Sequence, residues 1–241
     1  MIVRDIMTTK LITIAPDATL AHAVNLLRQH GFHHLPVVRS MHVEVEKMKV
    51  RKTVLEGMLT AQDIDLQAAL ARQRDTNATS QRPWLERRVV EVMHRAPLRV
   101  SPMTSVPAAA QILVERNLNY LPVVEYEIIQ NENKAVLVGL VTRSDLLLAL
   151  SRAMGAFEPG MQLDIVLPLG DMAPLARALL LAAEMNMQIR SVMAAPSIGG
   201  VPNVAIIRLG TINPAPFLLR LQQERIHYAF GTPVEEGELH P

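Results

Sequence analysis

The first 150 residues of this 241-residue chain carry one pattern twice. Residues 3–38 align with residues 89–124 at a constant offset of 86, and both copies end in the block Leu-Pro-Val-Val. A second block, Gly-x-x-Thr-x-x-Asp, follows at an offset of 82, because the first copy carries four more residues before it. Chance supplies scattered matches of leucine and valine, but not two specific blocks in the same order. The sequence therefore predicts a duplicated structural unit.

Each copy predicts the element order β-α-β-β-α. The predicted strands are short apolar runs bounded by turn residues and cover 12–14, 34–39, 54–59, 98–100, 120–125 and 136–141. The predicted helices show apolar residues at helical spacing and cover 19–30 and 105–117, with two more that begin near Thr60 and Thr142. Candidate N-caps are Asp17, Thr19, Thr104 and Ser105. Loose alternation over 40–52 predicts a solvent-facing hairpin extension, and the two units are expected to pack on each other.

The pattern changes from residue 162 onward. Apolar runs and helical spacing predict the order β-α-β-β-α-β, the ferredoxin-like plan, over 163–169, 174–187, 189–195, 203–209, 214–225 and 226–230, with a turn at 196–200. Polar residues predict a linker over 75–82, a second boundary over 155–160 and a frayed acidic tail over 235–241. We therefore predict an α/β (α+β) protein with domains at 1–74, 83–153 and 162–231.

Composition limits the classes of function. The formal net charge is +1 and only 3% of residues are aromatic, so the concentrated positive charge and stacking surfaces of nucleic-acid-binding proteins are missing. There is no cysteine, which excludes disulfides and thiolate catalysis and makes the reducing cytoplasm the expected compartment. No apolar stretch approaches the roughly 20 residues of a membrane span. Because no Walker A loop, dinucleotide-binding glycine motif or Ser/His/Asp set is present, we predict that the chain is not an enzyme.

The two Gly-x-x-Thr-x-x-Asp segments are the sharpest chemical feature. A glycine-permitted turn from a strand into a helix can present backbone N–H groups to an anion. The threonine can donate to a phosphate, and the aspartate can accept from both hydroxyls of a ribose cis-diol. The alternative is structural, with Thr60 and Thr142 as N-caps and Asp63 and Asp145 stabilising positive helix ends. The duplication and the pairing with Leu-Pro-Val-Val favour the ligand-binding interpretation.

Both copies resemble CBS domains. The resemblance depends on the two repeated blocks together with Asp5-Ile6-Met7 and Glu91-Val92-Met93, and it covers residues 1–152. Residues 162–231 resemble an ACT-like domain in element order and hydrophobic pattern only. The arrangement CBS-CBS-ACT resembles acetoin-utilisation-type regulatory proteins of bacteria.

The resemblance to the CBS family implies two nucleotide clefts related by a pseudo-twofold axis, each built from both copies. The first would consist of Thr142, Arg143 and Asp145 with Met7, Lys10, Ile12, Phe32, His33 and His34. The second would consist of Thr60 and Asp63 with Met93, Ala96, Leu98, Leu118 and Asn119. For phosphates the first cleft offers Lys10, His33, His34 and Arg143, where the second has Ala96, Asn119, Tyr120 and Ala61. We therefore predict that the first cleft is the tighter nucleotide site.

Two further sites were weighed on the residues. His30-x-x-His33-His34 invites a metal interpretation, but the helix should end at Gly31 and no cysteine or carboxylate completes a ligand shell, so a phosphate or surface role is favoured. ACT domains that bind amino acids typically have glycine where the first helix begins. Here Ala173-Pro174 stands in that place, so dimerisation is at least as good a role for this domain.

The favoured hypothesis is a regulatory protein that senses an adenine nucleotide (AMP, ADP or ATP) and transmits a conformational signal to a partner protein. It is expected to form a homodimer and to need no cofactor besides the regulatory nucleotide, with neither nucleic acid nor a membrane as partner. The alternatives are a structural adaptor with vestigial clefts, and a sensor of S-adenosylmethionine or of an amino acid.

Overall fold

The computed structural model describes residues 1–45, 48–74, 83–95, 97–194, 200–211 and 213–230. The predicted linker over 75–82, the acidic tail over 235–241 and most of the predicted turn at 196–200 lie outside these residues. The chain divides into two compact units, residues 1–146 and residues 147–241. The three predicted domain boundaries stay a prediction.

Two long hairpins form the sheet of the first unit. Its strands are β1 (His34–Val45), β2 (Met48–Thr60), β3 (Tyr120–Ile129) and β4 (Glu132–Thr142), in the spatial order β1-β2-β4-β3. The hairpins meet where Val54 pairs with Val136. Each outer strand is irregular at the same place in the repeat, after Val37 and after Val123. Within the predicted hairpin extension over 40–52, residues 40–45 and 48–52 continue the β1–β2 ladder.

Four helices accompany these strands. They are α1 (Leu20–His30), α2 (Ala61–Arg74), α3 (Val106–Glu115) and α4 (Arg143–Ala153). Two predicted caps are confirmed, since the hydroxyls of Thr19 and Ser105 accept from the backbone N–H groups of His22 and Ala108, both at 3.3 Å. Gly31 ends α1 in the left-handed conformation at φ 64°. In the part of the chain that is described, no helix is long and apolar enough to cross a membrane.

The first predicted strand of each copy is shorter than expected. Ile14 forms a single parallel bridge with Val37, and Val100 forms the equivalent bridge with Val123. A proline stands two residues after each bridge. Because proline has no backbone N–H to donate, a longer ladder is disfavoured there.

The opening turn of each copy completes the core of the other. Val3 lies fully buried in the cluster of the second copy, and its backbone N–H donates to the carbonyl oxygen of Thr104 at 2.8 Å. Val89 lies fully buried in the cluster of the first copy and donates to the carbonyl oxygen of Ala18 at 2.9 Å. The expected packing of the two copies is therefore an exchange of apolar segments, which places residues from both copies at the same clefts.

The second unit has the predicted order of elements. They are β5 (Met161–Val166), α5 (Ala173–Glu184), β6 (Ile189–Met193), β7 (Val204–Leu209), α6 (Ala215–Gln223) and β8 (Tyr228–Ala229). The sheet is antiparallel in the order β6-β7-β5-β8, which is the ferredoxin-like arrangement. Its core includes the fully buried Leu163, Leu181 and Phe217. Strand β5 ends before its predicted limit because Pro168 begins a short 3-10 turn.

Candidate functional site

The two strand-to-helix turns have the same local geometry. At the second turn, Oδ2 of Asp145 accepts from the backbone N–H of Thr142 at 2.8 Å and from its hydroxyl at 2.7 Å. At the first turn, Oδ2 of Asp63 accepts from the equivalent groups of Thr60 at 2.8 and 2.6 Å. The helix-capping interpretation is thus realised in both copies. It uses only one oxygen of each carboxylate, so the other oxygen decides what the site can bind.

The glycines of these segments have a different role from the one that the sequence predicts. Gly57 and Gly139 lie within β2 and β4, three residues before each strand ends. A Cβ at Gly139 would meet Sδ of Met7 at 2.5 Å, and one at Gly57 would meet Sδ of Met93 at 2.8 Å. Each glycine therefore makes room for a methionine of the other copy rather than shaping the turn. Met7 and Met93 pack on the strands and line neither cavity described below.

The first cavity has a volume of about 540 Å³ and is built from both copies. Every residue predicted for the first cleft except Met7 lines it, namely Lys10, Ile12, Phe32, His33, His34, Thr142, Arg143 and Asp145. The sequence did not assign its other walls to this cleft; they include Thr8, Leu11, Pro36, Leu140 and Ser144, and Asn119, which was predicted for the second cleft. Among the described residues, none donates to Oδ1 of Asp145. One carboxylate oxygen thus stays open to a ligand.

Arg143 lies at this cavity but directs most of its donors elsewhere. Its Nε donates to the carbonyl oxygen of Leu118 at 2.7 Å. Its Nη2 donates to the carbonyl oxygen of Leu113 at 3.2 Å and to Oδ1 of Asn117 at 3.1 Å. These acceptors belong to the last turn of α3 and the loop after it, so the guanidinium fixes that end of the helix. The basic side chains left for a ligand include the exposed Lys10 and His33.

His34 and Tyr120 occupy equivalent positions in the two copies and stack on each other, with ring centroids 4.9 Å apart. Burial lowers the pKa of His34, and the charge of His33 lowers it further, while Asp145 acts in the opposite direction. Burial also raises the pKa of Tyr120, with a smaller contribution from Asp63. His34 is therefore held neutral next to the carboxylate of the first cleft.

The second cavity has a volume of about 460 Å³. Of the residues predicted for it, Thr60, Asp63, Leu118 and Asn119 line it, Met93 and Leu98 do not, and Ala96 lies outside the described residues. His33 and His34 line it as well. Sequence reasoning missed His94, whose Nε2 lies 2.9 Å from Oδ1 of Asp63. The repeat could have revealed it, because the offset of 86 aligns His94 with Thr8.

The two other sites weighed from the sequence show local packing. His30 stacks on Phe32 with centroids 5.6 Å apart, and no described group of three or more possible ligands could hold a metal ion. At the start of α5, Oδ1 of Asp171 accepts from the backbone N–H of Ala173 at 2.9 Å. A Cβ at Gly170 would collide with Cγ1 of Val201. Asp171 is thus occupied by a cap, and the glycine beside it faces a side chain.

Comparisons with known proteins bear on the first unit. The model of the CBS domain family matches residues 3–65 and 89–152. Over 144 residues the chain is 33% identical to the CBS domain-containing protein YhcV of Bacillus subtilis. The aligned residues cover 60% of this chain and 81% of that protein. CBSX2, solved in complex with AMP, matches with 22% identity and a TM-score of 0.45, over 62% of this chain and 95% of that chain. A Vibrio cholerae protein provisionally assigned to acetoin utilization, AcuB, matches with 22% identity and a TM-score of 0.49. This match covers 65% of this chain and 96% of that chain.

Proposed function

We propose that this chain, which belongs to the CBS domain family, senses an adenine nucleotide in its first cleft and transmits a conformational signal. CBS-domain proteins are generally regulatory rather than catalytic. The observation that carries the proposal is the open Oδ1 of Asp145, since no described residue donates to it and it belongs to a cavity of about 540 Å³. Ligand pockets typically have volumes of about 300–1,000 Å³.

The ribose and the phosphate account for the polar side of this cavity. A carboxylate oxygen accepts strongly from hydroxyl donors, so Asp145 suits a cis-diol. The N-terminal turn of the 11-residue helix α4 begins at Arg143, and the positive end of the helix dipole favours a phosphate. Lys10 and His33 add basic side chains to the lining of the same cavity. Together these groups match a nucleoside phosphate better than an uncharged ligand.

The base accounts for the apolar side. Leu11, Ile12, Phe32 and Leu140 line the same cavity, and their flat aliphatic and aromatic surfaces suit a purine ring. In this proposal, backbone groups read the edge of the base, so adenine and guanine, which present opposite donor and acceptor patterns there, are distinguished.

The signal follows from the composition of the cleft. Its walls combine Lys10 and His33 of the first copy with Thr142 and Asp145 of the second. A nucleotide that contacts all four groups binds best to one relative arrangement of the copies. Ligand shifts the population toward that arrangement only to the extent that it prefers it. A partner protein that recognises the arrangement would then read the nucleotide level.

AMP, ADP or ATP is expected to raise the melting temperature of the chain, whereas GTP at the same concentration raises it much less. A ligand at about 100 times its Kd stabilises the folded state by about 2.7 kcal/mol, which for a chain of this size corresponds to several degrees. Differential scanning fluorimetry of the full chain with a panel of nucleotides and S-adenosylmethionine measures this shift.

The same panel separates the alternatives. Equal shifts from GTP and ATP would remove the argument for a base-specific cleft. A shift from S-adenosylmethionine alone would identify a sensor of that ligand, and no shift from any compound would favour an adaptor with vestigial clefts. A monovalent salt titration serves as the control for unspecific stabilisation.

We further propose that the second unit is ACT-like and that the chain forms a symmetric homodimer in the cytoplasm, in the CBS-CBS-ACT arrangement of acetoin-utilisation-type regulators. Val166, Val192 and Phe230 are exposed to 39%, 42% and 54%. An isologous interface between two protomers would cover such side chains in both chains. Light scattering at tens of micromolar should give twice the mass of 26.7 kDa, and a monomeric mass with and without nucleotide would contradict the dimer.

A further inference from the structure

The second cleft contains a residue that the first cleft lacks. His94 aligns with Thr8 in the repeat, and the backbone holds both positions in the same way. Thr8 exchanges two hydrogen bonds with Leu140 at 2.9 and 3.0 Å, and His94 exchanges two with Met58 at 2.8 and 2.9 Å. The side chain at this position is therefore presented to the equivalent place in each cleft.

In the second cleft this side chain engages the acidic residue of the site. Nε2 of His94 lies 2.9 Å from Oδ1 of Asp63, while Oδ2 accepts from the backbone and hydroxyl of Thr60. Both carboxylate oxygens of Asp63 are thus in hydrogen bonds. In the first cleft the threonine at this position leaves Oδ1 of Asp145 open. At the aspartate itself, the two clefts differ in this contact although their capping geometry is the same.

The imidazole also covers the carboxylate from the solvent side. The His94 side chain is 64% exposed, whereas that of Asp63 is 15% exposed. Within the described residues, no lysine or arginine lines this cavity, so histidine is the basic side chain present there. A diol that approaches Asp63 must displace His94. The protein then loses the charge-assisted hydrogen bond between His94 and Asp63.

We infer that His94 is a latch that closes the second cleft to cis-diol ligands and makes the chain a one-nucleotide sensor. The inference rests on the proposed function, because it takes the open oxygen of Asp145 as the diol acceptor of the first cleft. The geometry assigns specificity to a residue outside the Gly-x-x-Thr-x-x-Asp block. The second cleft has the threonine, the aspartate and a cavity of about 460 Å³. In this inference, the side chain of His94 decides whether a nucleotide occupies it.

The repeat supplies the matched variants for a test. His94→Thr gives the second cleft the residue of the first, and Thr8→His gives the first cleft the residue of the second. Both changes keep the backbone hydrogen bonds that hold the position, and His94 is mostly exposed, so we expect both variants to fold. Circular dichroism melting curves check this before binding is measured.

Titration calorimetry of the full chain with AMP reads the number of sites. We expect one site per chain in the wild type, two in His94→Thr, and one again in the double variant His94→Thr/Asp63→Ala. Thr8→His should weaken the first site by about tenfold or more, since its Asp145 would then be engaged. With 2′-deoxy-AMP, the site gained in His94→Thr should be weakened as strongly as the wild-type site.

The outcomes separate this inference from the proposed function. A wild-type chain that binds one AMP, with His94→Thr also binding one and Thr8→His binding like the wild type, overturns the latch and leaves the proposed function standing. A wild-type chain that binds no AMP overturns the proposed function. His94→Thr stays decisive in that case, because a site that appears only in this variant supports the latch and its absence contradicts it.

Discussion

Asp145→Ala is expected to remove most of the measurable affinity for AMP or ATP, while Asp63→Ala leaves it largely intact. In the proposed complex Oδ1 of Asp145 accepts from the ribose diol, and a hydrogen bond to a charged group contributes about 1.5–3 kcal/mol. Loss of one such bond weakens binding by about one to two decades, and loss of the pair of bonds to the diol by about two to four. Oδ1 of Asp63 is already occupied by His94, so its loss should not change the first cleft. Titration calorimetry measures both constants.

The two variants are matched controls for each other. Each aspartate accepts from its threonine with nearly the same distances, 2.8 and 2.7 Å at Asp145 against 2.8 and 2.6 Å at Asp63. Both substitutions should therefore cost the same capping energy, about 1 kcal/mol, and Asp63→Ala also loses the contact with the exposed His94. Asp63→Ala should thus lower the melting temperature at least as much as Asp145→Ala, so a loss of binding confined to Asp145→Ala isolates the ligand contact. If Asp63→Ala abolished binding and Asp145→Ala did not, the assignment of the first cleft would be wrong.

Local spacing explains why the capped turns could be predicted. A threonine before the helix and an aspartate three residues later lie within one turn, so their contact depends only on the local backbone. Both copies show this contact for Thr60 with Asp63 and Thr142 with Asp145. The ferredoxin-like order of the second unit could be predicted for a similar reason, because apolar periodicity is a local property.

Long-range contacts explain what was missed. Arg143 was predicted as a phosphate ligand, but its acceptors Leu113 and Leu118 stand 30 and 25 residues earlier in the chain. A guanidinium can donate either to a carbonyl oxygen or to a phosphate, so the residue type alone does not distinguish the two roles. The interpretation of Gly139 failed for the same reason, because the side chain that needs the space, Met7, comes from the other copy.

His94 is a position at which the two copies of the repeat differ. Identical positions establish the duplication, but they do not reveal how the two clefts differ. The non-identical pair Thr8 and His94 lines the cavities that contain Asp145 and Asp63, respectively. In a duplicated site, a position that differs beside an identical group can make the two sites unequal. The inequality was predicted from Lys10 and its neighbours, whereas the direct contact to a carboxylate is made by His94.

Affinity for AMP is expected to rise about three- to tenfold from pH 8 to pH 6, with uptake of protons on binding. In the free protein, burial and the charge of His33 lower the pKa of His34, with Asp145 acting in the opposite direction. Lys10, His33, Arg143 and Asp145 line the same cavity. A phosphate placed there favours the protonated imidazole and raises the pKa of His34. The complex then holds more protons than the free chain, so acidification favours binding.

The same shift acts on folding with the opposite sign. In the unfolded chain His34 takes up a proton near its ordinary pKa of about 6.5, and in the folded free chain it does so only at lower pH. Acidification below about pH 6.5 therefore favours the unfolded state, in which His34 is protonated. The melting temperature of the free chain should fall as a result. Bound AMP should reduce that fall, because it raises the pKa of His34 in the folded state. Adenosine, which has no phosphate, is the control. His34 would not contact the phosphate if the affinity for adenosine depended on pH as the affinity for AMP does. The same conclusion would follow if the calorimetric heat of AMP binding did not depend on the ionisation heat of the buffer.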